Sequence, residues 1–229
     1  MFKFLEKALG STSTYYNMLM KTRDKKEAIE PYKIDEVARV LQPLVTECSI
    51  IETDTVAERI SLNEVSRELE NYSAEIHQYD LEVAGVFSRA NQTYVLLLNL
   101  NKVHRGKHYQ KLVGLKQPSG KSSILNTSSS LPIWEEIVHR DAASNLLIKK
   151  LAKNQPWTLY RLAAGKLVDQ NSNGIQIGGY PQWIINDVDY RTIKDSEFIC
   201  SYIQEYPAIG LYYFHDKRLD KINFISQNL

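Results

Sequence analysis

Two adjacent glycines and a nearby proline constrain the fold of this chain more than any other feature. They lie in Ile177-Gly178-Gly179-Tyr180-Pro181-Gln182-Trp183-Ile184, which we call the glycine corner. The residues just before it alternate between polar and apolar, as in a short strand that runs into a turn. Gly178 and Gly179 can adopt positive φ or let another segment approach closely, and Pro181 favours an extended Tyr180. The sequence therefore predicts a strand that ends in a sharp turn.

The corner carries two large rings, Tyr180 and Trp183, whose role the pattern leaves open. Each ring has a polar edge, which suits either a core seam or a binding surface. In the first interpretation the rings fill a core at a structural corner. In the second the corner is an exposed recognition loop, because binding residues concentrate in loops on rigid scaffolds.

Residues 1–75 are predicted to be mainly helical. In residues 1–75 apolar side chains such as Val37 and Leu41 recur at helical spacing. Cys48–Ile51, within this region, fits either a short strand or a helix end. Residues 116–131 are rich in Ser, Gly and Pro and are predicted to form a loop.

Strand patterns dominate the middle and the end of the chain. Three strands are predicted within residues 76–115, at 81–87, 93–100 and 111–115, the first two forming a hairpin. The second of them is almost continuously apolar, so we expect it at the centre of its sheet. Residues 132–229 begin with one long helix or a broken pair, pass through the glycine corner and end in a hairpin.

These segments predict a single α+β domain over residues 1–229, in which a helical N-terminal portion packs on a mainly antiparallel β-sheet. A composition of 43% hydrophobic and 24% charged residues is typical of a soluble globular protein. The net charge of +1 excludes binding of nucleic acid through overall charge. The N-terminus lacks the apolar stretch of a signal peptide, and no apolar run approaches the ~20 residues of a membrane span. We therefore expect a cytoplasmic protein with no membrane partner.

No catalytic, cofactor or metal motif is complete in the sequence. Gly114–Ser122 resembles a phosphate-binding loop, but its first glycine is one position too early. His104 and His108 lack the acidic neighbour or third ligand of a metal site. Cys48 and Cys200 are too far apart in sequence to form a paired cysteine motif. We therefore predict no enzyme, no cofactor and no metal.

Three charged segments keep other functions open. Residues 52–82 contain nine acidic side chains, which form either a solvated face or a docking surface for a basic partner. Asp187, Asp189 and Asp195 fit loop capping, or the acid–base work of a small hydrolase as an alternative function. Lys102–Lys121 is a basic segment that fits solvated loop, strand-edge protection or, as a further alternative, a nucleic-acid-binding regulator.

The glycine corner and the segments after it resemble the YwqG-like family, a bacterial domain family of largely unknown function. The resemblance covers only the C-terminal part of the chain, from the corner through Gly210–Phe214 to a last strand near Gln227. Where the family's next strand has Gln-Ile, this chain has Tyr202-Ile203-Gln204. Proteins similar to that family often occur as solitary cytoplasmic domains beside secreted bacterial toxins, where they act as immunity proteins.

The resemblance implies a cytoplasmic immunity protein, or antitoxin, that binds and neutralises a cognate protein toxin. Such a toxin would be an effector delivered by type VI or another contact-dependent secretion, and the binding would be stoichiometric. As partner-binding residues we predict Tyr180 and Trp183, with Glu64, Glu68 and Asp187 as charged contacts. The sequence does not specify the oligomeric state.

Overall fold

The computed structural model describes residues 28–51, 67–89, 91–115, 126–168, 174–185, 188, 193, 195–204 and 207–228. These residues form α-helices and two antiparallel sheets, so the fold class is α+β. They divide into two compact units. The helical unit takes its described residues from 28–43 and 136–167, and the sheet unit from 44–135 and 168–228. That all 229 residues act as one domain stays a prediction.

Helices of the helical unit come from two distant segments. They are α1 (Pro31–Leu41), most of α3 (Trp134–Arg140), α4 (Ala142–Leu151) and α5 (Pro156–Ala164). Helix α1 starts with a proline, whose missing N–H needs no partner there, and buries Val37, Ala38 and Leu41. It contacts both α4 and α5. The described helices are therefore not clearly N-terminal to the sheets, because the partners of α1 come from beyond residue 140. The packing of a helical N-terminal portion on the sheet stays a prediction.

Asp141 separates α3 from α4, so the predicted helix is a broken pair. One Asp141 carboxylate oxygen accepts from the backbone N–H groups of Ala143 at 3.1 Å and Ser144 at 3.0 Å. The Ser144 hydroxyl donates to the other oxygen at 3.0 Å. These bonds satisfy donors that a helix start leaves unpaired, which explains why a new helix begins here.

A three-stranded sheet in the sheet unit confirms the predicted hairpin and third strand. It consists of β2 (Glu82–Arg89), β3 (Gln92–Leu98) and β4 (Gln110–Leu115), in the order β2-β3-β4. The apolar β3 is central, as expected. Val95 and Leu97 face α2 (Ser73–Tyr79), and Leu96 and Leu98 face the opposite side.

A six-stranded sheet forms the rest of the sheet unit. Its strands are β1 (Thr46–Ile51), β5 (Asn126–Ser130), β6 (Gly174–Ile177), β7 (Ser196–Gln204), β8 (Ile209–Asp216) and β9 (Lys221–Asn228), in the order β5-β1-β6-β7-β8-β9. Strand β1 confirms the strand interpretation of Cys48–Ile51, inside the region otherwise predicted to be helical. Strand β5 lies in residues 116–131, so the prediction of a loop is wrong at Asn126–Ser130. Strands β1 and β5 pair antiparallel with each other, so pairing between distant segments overrides the weak strand propensity of their sequences.

The two sheets share one apolar core within the sheet unit. A Cβ atom on Gly85 of β2 would lie 3.0 Å from Cδ1 of Ile175 in β6, so the sheets approach closely at that glycine. The Tyr213 hydroxyl of β8 donates to Oε1 of Gln110 in β4 inside this core. The other face of the six-stranded sheet, which we call the outer face, carries Phe198, Tyr212 and Phe214, and Trp183 of the glycine corner packs against them. Among the helices described, none is long and apolar enough to cross a membrane.

Candidate functional site

The glycine corner forms the sharp turn that its sequence predicts. Gly178 and Gly179 have φ values of +69° and +71°, a region that side chains with a Cβ rarely adopt. A Cβ atom on Gly179 would also lie 2.1 Å from Oγ of Ser130 and 3.1 Å from Cβ of Cys48. Glycine is therefore required at this position by both conformation and space.

Polar side chains of β5 and β6 fix the first half of the corner. The Gln176 side-chain amide donates to the carbonyl oxygens of Gly178 at 3.0 Å and Tyr180 at 2.7 Å. The backbone N–H of Tyr180 donates to the Ser130 hydroxyl at 2.8 Å. Buried backbone groups that a loop would leave unpaired are thus satisfied by the sheet beneath it.

Two further side chains fix the second half. The Tyr212 hydroxyl accepts from the N–H of Ile184 at 2.9 Å and donates to the carbonyl of Gln182 at 2.8 Å. Gln227 of β9 binds the backbone N–H and C=O of Ile185, at 3.0 and 2.6 Å. Burial raises the pKa of the Tyr212 phenol well above its ordinary value, so the hydroxyl keeps its proton and both hydrogen bonds.

Trp183 is a packing residue of the corner. Its side chain is 7% exposed, and its ring centroid lies 4.4 Å from that of Tyr212 and 5.9 Å from that of Phe214. Ile193 and Phe198 complete this cluster. The burial supports the core interpretation of the ring. Direct contact of Trp183 with a partner stays a prediction, and one that this burial does not favour.

Two of the other predicted contacts, Tyr180 and Glu68, are described, and they lie in different parts of the sheet unit. Tyr180 is half-buried at the corner, on the outer face of the six-stranded sheet. Glu68, also half-buried, precedes Leu69, which packs with α2 against the three-stranded sheet. Tyr180 and Glu68 therefore belong to different layers of the sheet unit. Glu64 and Asp187 lie outside the described residues.

The acidic set that a hydrolase would need is described only at Asp195. Its carboxylate lies 3.2 Å from the Arg218 guanidinium, as in an ordinary surface ion pair. Asp187 and Asp189 fall outside the described residues. Among the residues that the structure covers, no three His, Cys, Asp or Glu side chains come together as metal ligands would.

Two side chains of the basic segment, Lys111 and His108, contact helix α2. The Lys111 ammonium group contacts the Glu75 carboxylate and lies 4.8 Å from the ring centroid of Tyr72. The His108 ring stacks on Tyr79, with a centroid distance of 5.2 Å. These contacts give two of its basic side chains a structural role, while residues 116–121 lie outside the description.

A charged group beside the corner was missed by the sequence analysis. Arg89 Nε donates to the carbonyl of Phe198 at 3.0 Å, and its Nη2 lies 3.4 Å from the Glu197 carboxylate. Lys217 binds the other Glu197 oxygen at 2.6 Å. The hydrogen bond from Lys217 and the charge of Arg89 lower the pKa of Glu197. No local pattern could reveal this group, because its members come from three separate strands and turns.

Exposed apolar side chains on the helical unit were also missed. They are Tyr32, Val40, Leu146, Trp157 and Leu162, each 36–72% exposed, which we call the helical apolar set. The Arg161 guanidinium lies 5.2 Å from the Trp157 ring centroid, one turn along α5. Trp157 and Arg161 four positions apart on a helix are the signal that could have found this pair.

No protein-family model, curated protein or solved structure matches the chain. The likeness of the glycine corner to the YwqG-like family therefore rests on the residues of the corner and of the strands after it. Membership of that family stays a prediction.

Proposed function

We propose that the protein is a cytoplasmic immunity protein that binds a cognate bacterial toxin and neutralises it stoichiometrically. The observation that supports protein binding is the helical apolar set. Five large apolar side chains are exposed on α1, α4 and α5. We propose that they form one patch, since contiguous exposed apolar patches mark surfaces that another protein covers. The resemblance of the glycine corner supports the identity of that partner as a toxin.

Trp157 has the properties of an interface anchor. Its ring is 42% exposed and lies against Arg161. Trp, Tyr and Arg dominate the binding energy of protein interfaces, because their large side chains lose water on contact. Trp157, Arg161 and Tyr32 supply all three types on the helical unit. We expect them to form the centre of the interface.

Neutralisation in this proposal needs no chemistry from the protein. A partner that covers the toxin's active site, or blocks its substrate, acts by occupancy alone, and its strength depends on slow dissociation. Tyr180 and Glu68, which belong to the sheet unit, remain proposed contacts of the toxin. In this scheme Trp183 acts indirectly, by holding the corner that presents Tyr180.

The test is capture of a partner from the native host with tagged protein at physiological salt, read by mass spectrometry. We expect one stoichiometric partner with a toxin-like domain, whose growth inhibition the protein relieves. Trp157→Ala should then weaken binding by at least about tenfold, as for an interface hot spot. Leu219→Ala is the matched control, since Leu219 is 71% exposed in the sheet unit.

Two results would contradict the proposal. In the first, only nucleic acid or no macromolecule is captured. In the second, a toxin binds but Trp157→Ala and Leu219→Ala leave its affinity equally unchanged, which would move the interface away from the helical apolar set. A wild-type affinity that falls steeply as the salt concentration rises would instead indicate a contact driven by charge.

A further inference from the structure

Strand β9 is an open edge of the six-stranded sheet. It pairs with β8 over its full length, from Lys221 opposite Asp216 to Asn228 opposite Ile209, without a register shift. In the described part of the sheet no other strand pairs with β9. Among the described residues its outward N–H and C=O groups have no backbone partner, and such an edge pairs with another strand unless the sequence protects it.

The usual protection of an edge strand is missing from β9. The strand has eight residues, Lys-Ile-Asn-Phe-Ile-Ser-Gln-Asn, with no proline and no bulge, and its one lysine stands at the start. The opposite edge, β5, has five residues, all Asn, Ser or Thr. The two edges thus differ in length and in apolar content.

The shared core of the sheet unit also ends at β9. Ile222 and Phe224 pack against this core but remain half-buried, and the Phe224 ring centroid lies 6.1 Å from that of Tyr213. A further strand beside β9 would cover the exposed part of both side chains. The apolar layer can therefore extend past β9.

We propose that β9 pairs antiparallel with β9 of a second copy of the chain, which joins the two six-stranded sheets edge to edge. A two-fold axis perpendicular to the sheet keeps the same face of both copies on the same side. Centred on Phe224, it sets Phe224 opposite Phe224, Ile222 opposite Ser226, and Asn223 opposite Ile225. The half-buried rings then form an aromatic cross-strand pair, a favourable kind of neighbour.

Charge favours a second copy as the occupant. Lys221 is the one ionisable side chain in β9, and this register places it opposite Gln227, so no like charges face each other across the axis. The net charge of +1 gives two copies little overall repulsion. This dimer goes beyond the proposed function and does not use the helical apolar set, so either proposal can fail alone.

Sedimentation velocity across a wide concentration range tests the dimer, and we expect a reversible monomer–dimer equilibrium. Under mild oxidation, Phe224→Cys should cross-link, because the two introduced thiols face each other across the axis. Ser226→Cys should not, because each of its thiols faces Ile222. Native Cys48 and Cys200 are buried and do not compete. A monomer at all concentrations, or equal cross-linking of both variants, would overturn the proposal.

A pair of proline variants separates edge pairing from folding. Successive N–H groups of β9 point alternately towards β8 and away from the sheet, so Ile225→Pro and Ser226→Pro each remove one kind. One variant should keep the wild-type melting temperature and weaken self-association by at least about tenfold, because proline blocks an edge. If the variant that keeps its melting temperature still dimerises like wild type, β9 is not the interface.

Discussion

Trp157 and Trp183 are the same residue type in opposite circumstances. Trp157 stands on a regular helix and is 42% exposed, whereas Trp183 stands in an irregular loop and is 7% exposed. The usual expectation places helix aromatics in the core and loop aromatics at the surface. Here the expectation fails for both residues. Trp183 can be buried because the sheet beneath its loop supplies hydrogen-bond partners for the loop backbone.

The difference shows what allows a loop to become part of a core. Gln176, Ser130, Tyr212 and Gln227 satisfy backbone groups of residues 178–185. Once those groups are paired, the loop can bury a large ring with its backbone satisfied, while the indole N–H of Trp183 has no hydrogen-bond partner among the described residues. Helix α5 satisfies its own backbone, so it can leave Trp157 exposed at no cost to its fold.

The largest expected effect contrasts the two tryptophans directly. Trp183→Ala should lower the free energy of unfolding by about 3–5 kcal/mol, since it removes a ring from the cluster with Tyr212 and Phe214. Trp157→Ala should change it by no more than about 0.5 kcal/mol, as at a surface position. Denaturant unfolding measures both. Equal losses would remove the distinction between the two sites.

Removal of the Tyr212 hydroxyl tests whether this side chain fixes the glycine corner. Tyr212→Phe removes one partner from the N–H of Ile184 and the carbonyl of Gln182, and should cost about 1–3 kcal/mol of unfolding free energy. Tyr32→Phe is the control, because Tyr32 is 58% exposed and should lose almost nothing. Thermal unfolding of the two variants gives the comparison. A Tyr212→Phe protein as stable as the control would show that water replaces the hydroxyl.

In the helical unit, the side chain that satisfies backbone groups in a comparable way is Asp141, which caps α4. Asp141→Ala removes the cap of α4 and should cost about 1 kcal/mol. Asp141→Asn keeps a capping oxygen and should retain most of that stability. Helix content and melting temperature by circular dichroism are the measurements. Equal losses in both variants would assign the effect to charge rather than to capping.

The smallest expected effect is on the pH dependence of stability, and it concerns two carboxyl groups whose pKa values are lowered. Lys217 and Arg89 lower the pKa of Glu197 in the sheet unit, and Lys33 lowers the pKa of Glu30 in the helical unit. A lowered pKa means that folding favours the carboxylate. The stabilisation is present above the ordinary value of 4.5 and is lost as the pH falls through the folded-state pKa.

Glu197→Gln should therefore weaken the acid dependence of unfolding below pH 4.5 more than Glu30→Gln does. The reason is solvent screening, since the Glu197 side chain is 29% exposed and that of Glu30 is 57% exposed. Denaturant midpoints measured at several pH values give both slopes. A steeper change for Glu30→Gln would reverse the order of the two units.

Local chemistry made part of the fold predictable. The hairpin of β2 and β3 and that of β8 and β9 follow from apolar strands separated by turn residues. The positive φ of Gly178 and Gly179 follows from the glycine pair itself. In each case the residues that decide the structure are close in sequence, so their pattern is sufficient.

The remaining features depend on residues that are distant in sequence. Strand β5 contains Asn, Thr and Ser alone and becomes a strand because β1 pairs with it. Trp183 is buried because Tyr212 and Gln227 hold its loop. Of the predicted contacts, Tyr180 and Trp183 share the corner because they are neighbours, whereas Glu68 lies elsewhere. A single pattern could not reveal which distant side chains would meet.

The discontinuous helical unit has a consequence for biosynthesis. Helix α1 ends at Leu41, and its partner α5 begins only at Pro156. A ribosome adding about 5–20 residues per second needs on the order of ten seconds to synthesise the chain between them. Throughout that interval the apolar face of the nascent α1, with Val37 and Leu41, is without its native cover. Helix α1, the first helix in the described part of the chain, is thus among the last to be completed, and its uncovered apolar face is one that a chaperone would hold.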